Sequence, residues 1–130
     1  MQVVNSGIGA NVISTRSPSY QKSGKPAANE RIDKHVVAHR PDLLIISYGL
    51  NDARGGTPLE LFRKELADLI DRIRTQVQPL IVLPGPYYMT DFTVGGRSWV
   101  HADLALFERF NKMICQLAHQ LECLYVDLLA

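Results

Sequence analysis

The sequence predicts an α/β fold in which helices cover both faces of a parallel sheet. Short apolar runs with the length of strands alternate along the chain with longer segments whose apolar residues recur at helical spacing. Strands that alternate with helices join through right-handed crossovers, which place the strands parallel to one another. The composition fits one globular domain over residues 1–130, since 46% of the residues are hydrophobic and 21% are charged.

The first part of the chain contains signals for two strands, a loop and a short helix. Residues 2–4 predict a short strand, and residues 14–29, rich in Ser, Pro, Lys and Gly, predict a solvated loop. A short helix is expected from Glu30 to His39, with Asn29 as its N-cap. Residues 43–48 form an uninterrupted apolar run, which is typical of a parallel strand covered on both faces.

The helix with the clearest signals follows this strand. Thr57 predicts its N-cap, Pro58 suits the first helical position, and Glu60 places a carboxylate at the third. Its apolar residues recur at helical spacing and comprise Phe62, Leu66, Leu69, Ile70 and Ile73. Three further elements, a buried strand, a helix and a closing strand, are expected at residues 80–83, 101–121 and 124–128.

Charge and hydropathy exclude several classes of partner. The formal net charge is +1 with basic and acidic residues interleaved, so no single-sign field would attract nucleic acid or anionic lipid. No apolar stretch approaches the roughly 20 residues that span a bilayer. We therefore expect no nucleic-acid partner, no membrane span, and the cytoplasm as the default location. Cys115 and Cys123 lack disulfide and metal-ligand spacing, which predicts two buried thiols.

Small and polar residues follow three of the predicted strands, within residues 5–11, 49–52 and 84–88. In open α/β sheets, ligands bind beyond the carboxyl ends of the strands, so these segments are candidates for a site. Asn51 carries neutral N–H donors that suit a developing oxyanion. Residue types alone favour the simpler interpretation, in which Asn51 and Asp52 form a turn and a helix entry.

Several sequence segments resemble one family of hydrolases. NSGIGAN and PDLLIISYGLND are similar to the second and third sequence blocks of the SGNH hydrolases, also called GDSL-type esterases and lipases. TPLELFRKELADLI, LIVLPGPYY and YVDL continue the order of that family. The resemblance implies a flavodoxin-like three-layer fold and hydrolysis of a small-molecule carboxylic or acetyl ester. It also implies a serine nucleophile and a histidine base, with no metal and no cofactor.

The resemblance assigns residues to the oxyanion hole of that family. Asn51 would be the side-chain donor, and the backbone N–H of Ala10 would be the second donor. The family usually has glycine at the position of Ala10, and alanine supplies the same N–H if its φ is not one that only glycine tolerates. Four further residues at the strand ends are expected to contact the substrate: Gly9, Gly49, Tyr87 and Tyr88.

By the same resemblance, the domain is truncated at both ends. A Gly-Asp-Ser block on a first strand is expected before Gln2, and an Asp-x-x-His block after Asp127, so the sheet is incomplete and the chain alone is expected to be inactive. The alternative is a non-catalytic binding module, or a partner fragment that completes its sheet by homo-oligomerisation, strand exchange or a second chain. Unpaired strand edges favour such pairing. Export is not excluded, because a preceding segment would carry any signal.

Three other site hypotheses are weaker. Ser98 and His101 lie three residues apart in a long connection that is typical of a lid, but no carboxylate is positioned to orient the histidine. His35 and His39 lie one helical turn apart, yet they share a helical face with apolar residues, which predicts packed or boundary histidines and no metal site. The Gly7-x-Gly9 pair lacks the third glycine of a dinucleotide fingerprint.

Overall fold

A computed structural model describes residues 1–129 and contains one parallel sheet of three strands. The strands β1 (Leu43–Ile45), β2 (Leu80–Pro84) and β3 (Leu124–Val126) lie side by side in chain order. Leu44 lies opposite Ile81 in the first pair of strands, and Leu83 lies opposite Tyr125 in the second. The predicted α/β fold class with a parallel sheet is therefore confirmed.

Five helices accompany the sheet within the described residues, at α1 (Tyr20–Ser23), α2 (Ala28–His35), α3 (Leu50–Arg54), α4 (Leu59–Arg74) and α5 (Leu104–Gln120). Single 3-10 turns occupy Val37–His39 and Arg97–Trp99. The long helices α4 and α5 each connect two neighbouring strands, as parallel pairing requires. All five apolar residues predicted for the inner face of α4 are buried.

The main core lies between α4, α5 and one face of the sheet. The rings of Phe62 on α4 and Phe110 on α5 have centroids 5.2 Å apart, and both side chains are fully buried. From β2, Ile81 and Leu83 belong to this core. Burial of each such side chain contributes roughly 1.5–3 kcal/mol, so this contact between the helices and the sheet is the main source of stability.

The opposite face of the strands is exposed and apolar. Its five most exposed strand side chains, with exposed fractions between 42% and 60%, are Leu43, Ile45, Leu80, Leu124 and Val126. The expectation that the apolar run at residues 43–48 is covered on both faces is therefore wrong at residues 43 and 45. The regular strand also ends at Ile45 rather than at residue 48. We call these five residues the open face.

Residues 2–4 do not form the predicted strand. A strand exists through pairing with a neighbour, and the only strand that pairs with β1 in the described part of the chain is β2. Val3 is 77% exposed, so its apolar side chain gains nothing from a sheet. The β propensity of this segment is therefore insufficient to form a strand.

Helix α2 and the segment before it also differ from expectation. The N-cap of α2 is Ala27, whose N–H donates to the Glu30 carboxylate at 2.8 Å, so Asn29 lies inside the helix. The helix ends at His35 instead of His39. The expected solvated loop at residues 14–29 contains α1 and three buried serines, Ser14, Ser17 and Ser19.

The starts of α4 and α5 are set by different residues from those expected. Thr57 does not cap α4, because its hydroxyl donates to Asp52 Oδ1 at 2.9 Å, and the helix begins after Pro58. Helix α5 begins at Leu104, later than residue 101, because Asp103 accepts the N–H of Leu106 at 2.8 Å. Local sequence signals located both helices to within a few residues, as is usual for helix ends.

The expectation of two buried thiols is wrong for Cys115 and holds in part for Cys123. Cys115 is exposed, because the inward positions of α5 are taken by Met113, Ile114 and Leu117, and residue 115 points away from them. Cys123 is partly buried and packs against the core. Among residues 1–129 no helix is long and apolar enough to cross a membrane.

Candidate active site

A sharp turn at Gly49 brings the chain from β1 into helix α3. Gly49 has φ +124°, which side chains rarely adopt, and an added Cβ would lie 3.2 Å from Ile114 Cδ1 and 3.5 Å from Phe62 Cζ. Only glycine fits this position without displacing the core. The turn places Asn51 in the first turn of α3, at the end of the sheet where ligands of open α/β folds bind.

Asn51 and Ala10 lie close together. The half-buried Asn51 side chain donates from Nδ2 to the backbone oxygen of Asn11 at 3.1 Å, and Asn11 directly follows Ala10. Ala10 is exposed, and its backbone N–H has no hydrogen-bond partner within residues 1–129. The two residues that the resemblance assigns to one oxyanion hole are thus linked through a single hydrogen bond, from Asn51 to the residue that follows Ala10.

Ala10 adopts a left-handed backbone with φ 57°. Glycine adopts this conformation freely, whereas alanine pays about 1–2 kcal/mol because its Cβ approaches the next carbonyl oxygen. This φ is one that glycine prefers but that other residues also adopt, as Arg40 and Glu122 do in this chain. The alanine N–H remains available, but at a cost in local strain.

Asn11 anchors the segment that carries Ala10. Its Oδ1 accepts hydrogen bonds from Tyr48 Oη and from Arg31 Nη2, the latter at 3.2 Å, and its Nδ2 donates to the backbone oxygen of Pro26. Burial raises the pKa of Tyr48, so its hydroxyl stays protonated and donates. The sequence pattern gave no signal for this network, because its members come from three segments that only the fold brings together.

Asp52, the residue after Asn51, is fully buried and accepts three hydrogen bonds. Oδ2 accepts the N–H of Ile13 at 3.0 Å, while Oδ1 accepts the hydroxyls of Ser17 at 3.0 Å and Thr57 at 2.9 Å. Burial raises the pKa of Asp52 to about 6, and the three donors partly oppose this effect by stabilising the charged form. The burial of Ser17 in the expected loop is thus explained, because the buried Asp52 carboxylate needs hydrogen-bond donors.

Arg54, at the end of α3, attaches the connection between β2 and α5. Its guanidinium donates to the backbone oxygen of Val94, and its own backbone oxygen accepts the N–H of His101 at 3.0 Å. Arg54 is 8% exposed, and its Nε has no hydrogen-bond partner among the described residues. The predicted lid segment therefore lies beside the helix that carries Asn51.

The remaining predicted substrate contacts lie at the surface near the strand ends. Tyr87 and Tyr88 follow β2 and are each 56% exposed, and space around Gly9 is open, since an added Cβ would meet no atom within 4 Å. Gly49 is instead buried beneath Phe62 and Ile114. No hydrogen bond within residues 1–129 joins either tyrosine to Asn51.

The alternative sites receive no support from the described residues. No hydrogen bond joins Ser98 to His101 in this part of the chain. His35 and His39 are exposed rather than packed, because α2 ends at the first of them. Within residues 1–129 no group of three or more His, Cys, Asp or Glu side chains is arranged to hold a metal ion.

The fold defines an α/β protein with a parallel three-stranded sheet and polar residues at its strand ends, and a comparison with protein families identifies the family. The chain matches the model of the GDSL-like lipase/acylhydrolase family over residues 1–130 and belongs to that family. Comparison with curated proteins gives no significant match.

Two solved structures are similar to this chain over 95% of its length. An acetylxylan esterase, Axe2 from Geobacillus stearothermophilus, has a TM-score of 0.67 and 21% identity, and the match covers 52% of that protein. The acetyl xylan esterase AlAXEase has a TM-score of 0.70 and 20% identity, with 57% of that protein covered. These likenesses show a shared fold, and the chain spans about half the length of each of the two esterases.

Proposed function

We propose that residues 1–130 supply the oxyanion-binding part of a carboxylic ester hydrolase. One observation supports this proposal above the others. The Asn51 amide bonds the backbone oxygen next to Ala10, and the exposed Ala10 N–H has no partner in the described part of the chain. The second N–H of the Asn51 amide and the Ala10 N–H are thus two neutral donors beside each other at the strand ends, where a reacting carbonyl oxygen would bind.

Neutral donors suit the chemistry of ester cleavage by a serine. Attack of a serine oxygen on the ester carbon moves an electron pair onto the carbonyl oxygen, and collapse of this intermediate releases the alcohol. A preorganised side-chain donor such as Asn51 stabilises the developing negative charge by roughly 3–4 kcal/mol. Asn51 does so without the desolvation cost of a buried cation, since its amide is uncharged.

Residues 1–130 do not supply the nucleophile and the base that the resemblance implies. Residues 1–130 contain no Gly-Asp-Ser segment and no Asp-x-x-His segment. Loss of nucleophile and base leaves only binding and oxyanion stabilisation, which give a small residue of catalysis. We therefore propose that this polypeptide alone has little or no turnover.

We further propose small acyl esters of carbohydrate as the substrate class to test first. Tyr87 and Tyr88 expose aromatic surface beside the strand ends, and tyrosine combines an apolar ring with a polar hydroxyl that suits a sugar face. Two proteins of the same fold bear the name acetylxylan esterase. The acyl group would then be acetyl, whose small size needs no deep acyl pocket.

The oxyanion proposal is tested by nuclear magnetic resonance with acetate, the product anion. Titration of the 130-residue chain with sodium acetate should shift the signals of the Ala10 backbone amide and the Asn51 side-chain amide, relative to sodium chloride at equal ionic strength. Asn51→Ala should abolish the shift at Ala10. Gln76→Ala, which removes an exposed amide just after the C-terminal end of α4, should leave the shift at Ala10 unchanged. No shift at either donor in the unaltered chain contradicts the proposal.

A turnover assay tests the expected inactivity separately. With p-nitrophenyl acetate, the chain should hydrolyse no faster than Asn51→Ala does. Hydrolysis that Asn51→Ala removes would contradict the expected inactivity, yet it would support the role of Asn51.

A second candidate function, a partner fragment that completes its sheet with another polypeptide, is favoured by the edge of β1. In the described part of the chain β1 pairs only with β2, which leaves the backbone groups of its other edge unpaired. Analytical ultracentrifugation distinguishes the two candidates. A stable monomer at all concentrations contradicts pairing between copies of this chain.

A further inference from the structure

The carboxylate of Asp52 occupies a place in the core where a charge is costly. The side chain is fully buried and belongs to no ion pair among residues 1–129, so hydrogen bonds alone compensate its charge. A buried carboxylate kept at such cost normally has a definite task. Its task follows from where its three donors come from.

The donors lie on two different segments. Ile13 and Ser17 belong to the segment that follows Ala10, and Thr57 lies just before helix α4. The backbone adds a fourth contact, because the Thr57 N–H donates to the Asp52 backbone oxygen at 2.8 Å. Asp52 thereby joins the segment after Ala10 to the residue that directly precedes the N-cap of helix α4.

Two consecutive residues of α3, Asn51 and Asp52, bond the backbone of the segment that follows Ala10. Asn51 bonds the backbone oxygen of Asn11, and Asp52 bonds the backbone N–H of Ile13, so two adjacent side chains fix both ends of one short stretch. Ala10 immediately precedes the stretch and has the left-handed φ of 57°. Alanine keeps such a backbone only where its surroundings enforce it.

Building on the proposed function, we propose that Asp52 is a positioning residue, which holds the Ala10 N–H beside Asn51 through its bond to the Ile13 N–H. An asparagine at this position is uncharged and has one oxygen, so it cannot accept from the Ile13 N–H and from both hydroxyls at once. Only the carboxylate holds Ile13 through a charged acceptor while the two hydroxyls orient it.

Asp52→Asn tests the positioning role through the conformation of Ala10. In the variant, the Ile13 amide should exchange with solvent about tenfold faster or more, because a hydrogen bond to a charged acceptor is lost. The three-bond amide coupling and the Cβ shift of Ala10, which report φ, should move away from left-handed values. The acetate-induced shift of Ala10 should fall in parallel.

Ile70→Val is the control for a purely structural effect. Ile70 is buried in α4 and makes none of these hydrogen bonds, so its truncation lowers stability without changing Ala10. An Ala10 coupling that stays constant in Asp52→Asn, or that changes equally in Ile70→Val, overturns the proposal. If acetate shifts neither donor in the unaltered chain, the oxyanion function fails, while the Ala10 coupling still decides the role of Asp52.

Two milder variants keep the test decisive if Asp52→Asn does not fold. Ser17→Ala and Thr57→Val each remove one hydroxyl from Oδ1 and leave the bond between Oδ2 and Ile13 intact. Both should retain slow exchange at Ile13 and left-handed values at Ala10. A displaced Ala10 in either variant, with Ile13 still protected, overturns the proposal.

Discussion

Ala10 combines an unfavourable backbone conformation with one of the two donors proposed for the candidate site. Its φ of 57° costs alanine about 1–2 kcal/mol, whereas glycine adopts it freely but loses more entropy on folding. Ala10→Gly should therefore raise the free energy of unfolding by about 0.5–1 kcal/mol, measured by urea denaturation. Ala105→Gly, in the exposed helical backbone of α5, is the matched control and should lower it by about 1 kcal/mol. Equal destabilisation by both variants would contradict a left-handed Ala10.

The buried carboxylate of Asp52 gives stability a definite dependence on pH. Its pKa in the folded chain is about 6 and its ordinary value is 3.8, so the native state retains a proton that the unfolded chain has already released between these values. The contribution of Asp52 to the free energy of unfolding is therefore greatest below pH 4. It falls by about 3 kcal/mol as the pH rises through 6. The cause is burial of the charge.

Carbon-detected titration of the Asp52 carboxyl checks this prediction directly, and unfolding in urea at several pH values checks its energetic part. The difference in stability between the unaltered chain and Asp52→Asn should decrease as the pH rises from 4 to 7. Asp68→Asn, which removes an exposed carboxylate paired with Lys64, should show no such trend. An Asp52 carboxyl that titrates near 4 would mean that the three donors fully offset its burial.

At the scale of the elements, periodicity was a better guide than capping signals. The apolar spacing of α4 placed that helix, because a buried helical face needs residues at that spacing wherever the helix packs. Thr57 was expected to cap α4, but its hydroxyl bonds Asp52, a partner that belongs to another helix. The short helix α3 was not expected, since it contains Asn51 and Asp52, which are common in turns.

The turn at Gly49 fixes the direction of α3 and hence the position of Asn51. An alanine here would combine a φ of +124° with a Cβ only 3.2 Å from Ile114 Cδ1. Gly49→Ala should lower the free energy of unfolding by about 2–4 kcal/mol, from backbone strain and overpacking together. Gly24→Ala is the matched control, because Gly24 has φ +63° and open space around it, so only about 1 kcal/mol of strain is expected. Thermal unfolding of both variants measures the difference, and equal losses would contradict a steric role for Ile114.

For the whole molecule, the order of the three strands and the two long helices was readable from the sequence, and the coverage of the sheet was not. An apolar run such as residues 43–48 is typical of a strand buried on both faces, and its residues do not reveal whether a covering layer is present. Asn51 was found through the motif around it, whereas Asn11, Arg31 and Tyr48 converge only through tertiary structure. Residues that contact each other but lie far apart along the chain leave no local pattern in the sequence.

The open face predicts how the isolated 130-residue chain behaves in solution. Its five strand residues Leu43, Ile45, Leu80, Leu124 and Val126 form an exposed apolar patch without a single charge, which favours association with another apolar surface. The chain should therefore bind a hydrophobic dye and sediment as concentration-dependent oligomers. Replacing Leu80 and Leu124 together by Gln should reduce both effects several-fold, because each substitution removes exposed apolar area from the open face. Val94→Gln, at an equally exposed residue outside the sheet, should change neither. Unaltered association in the double variant would locate the contact elsewhere, with the free edge of β1 as the next surface to test.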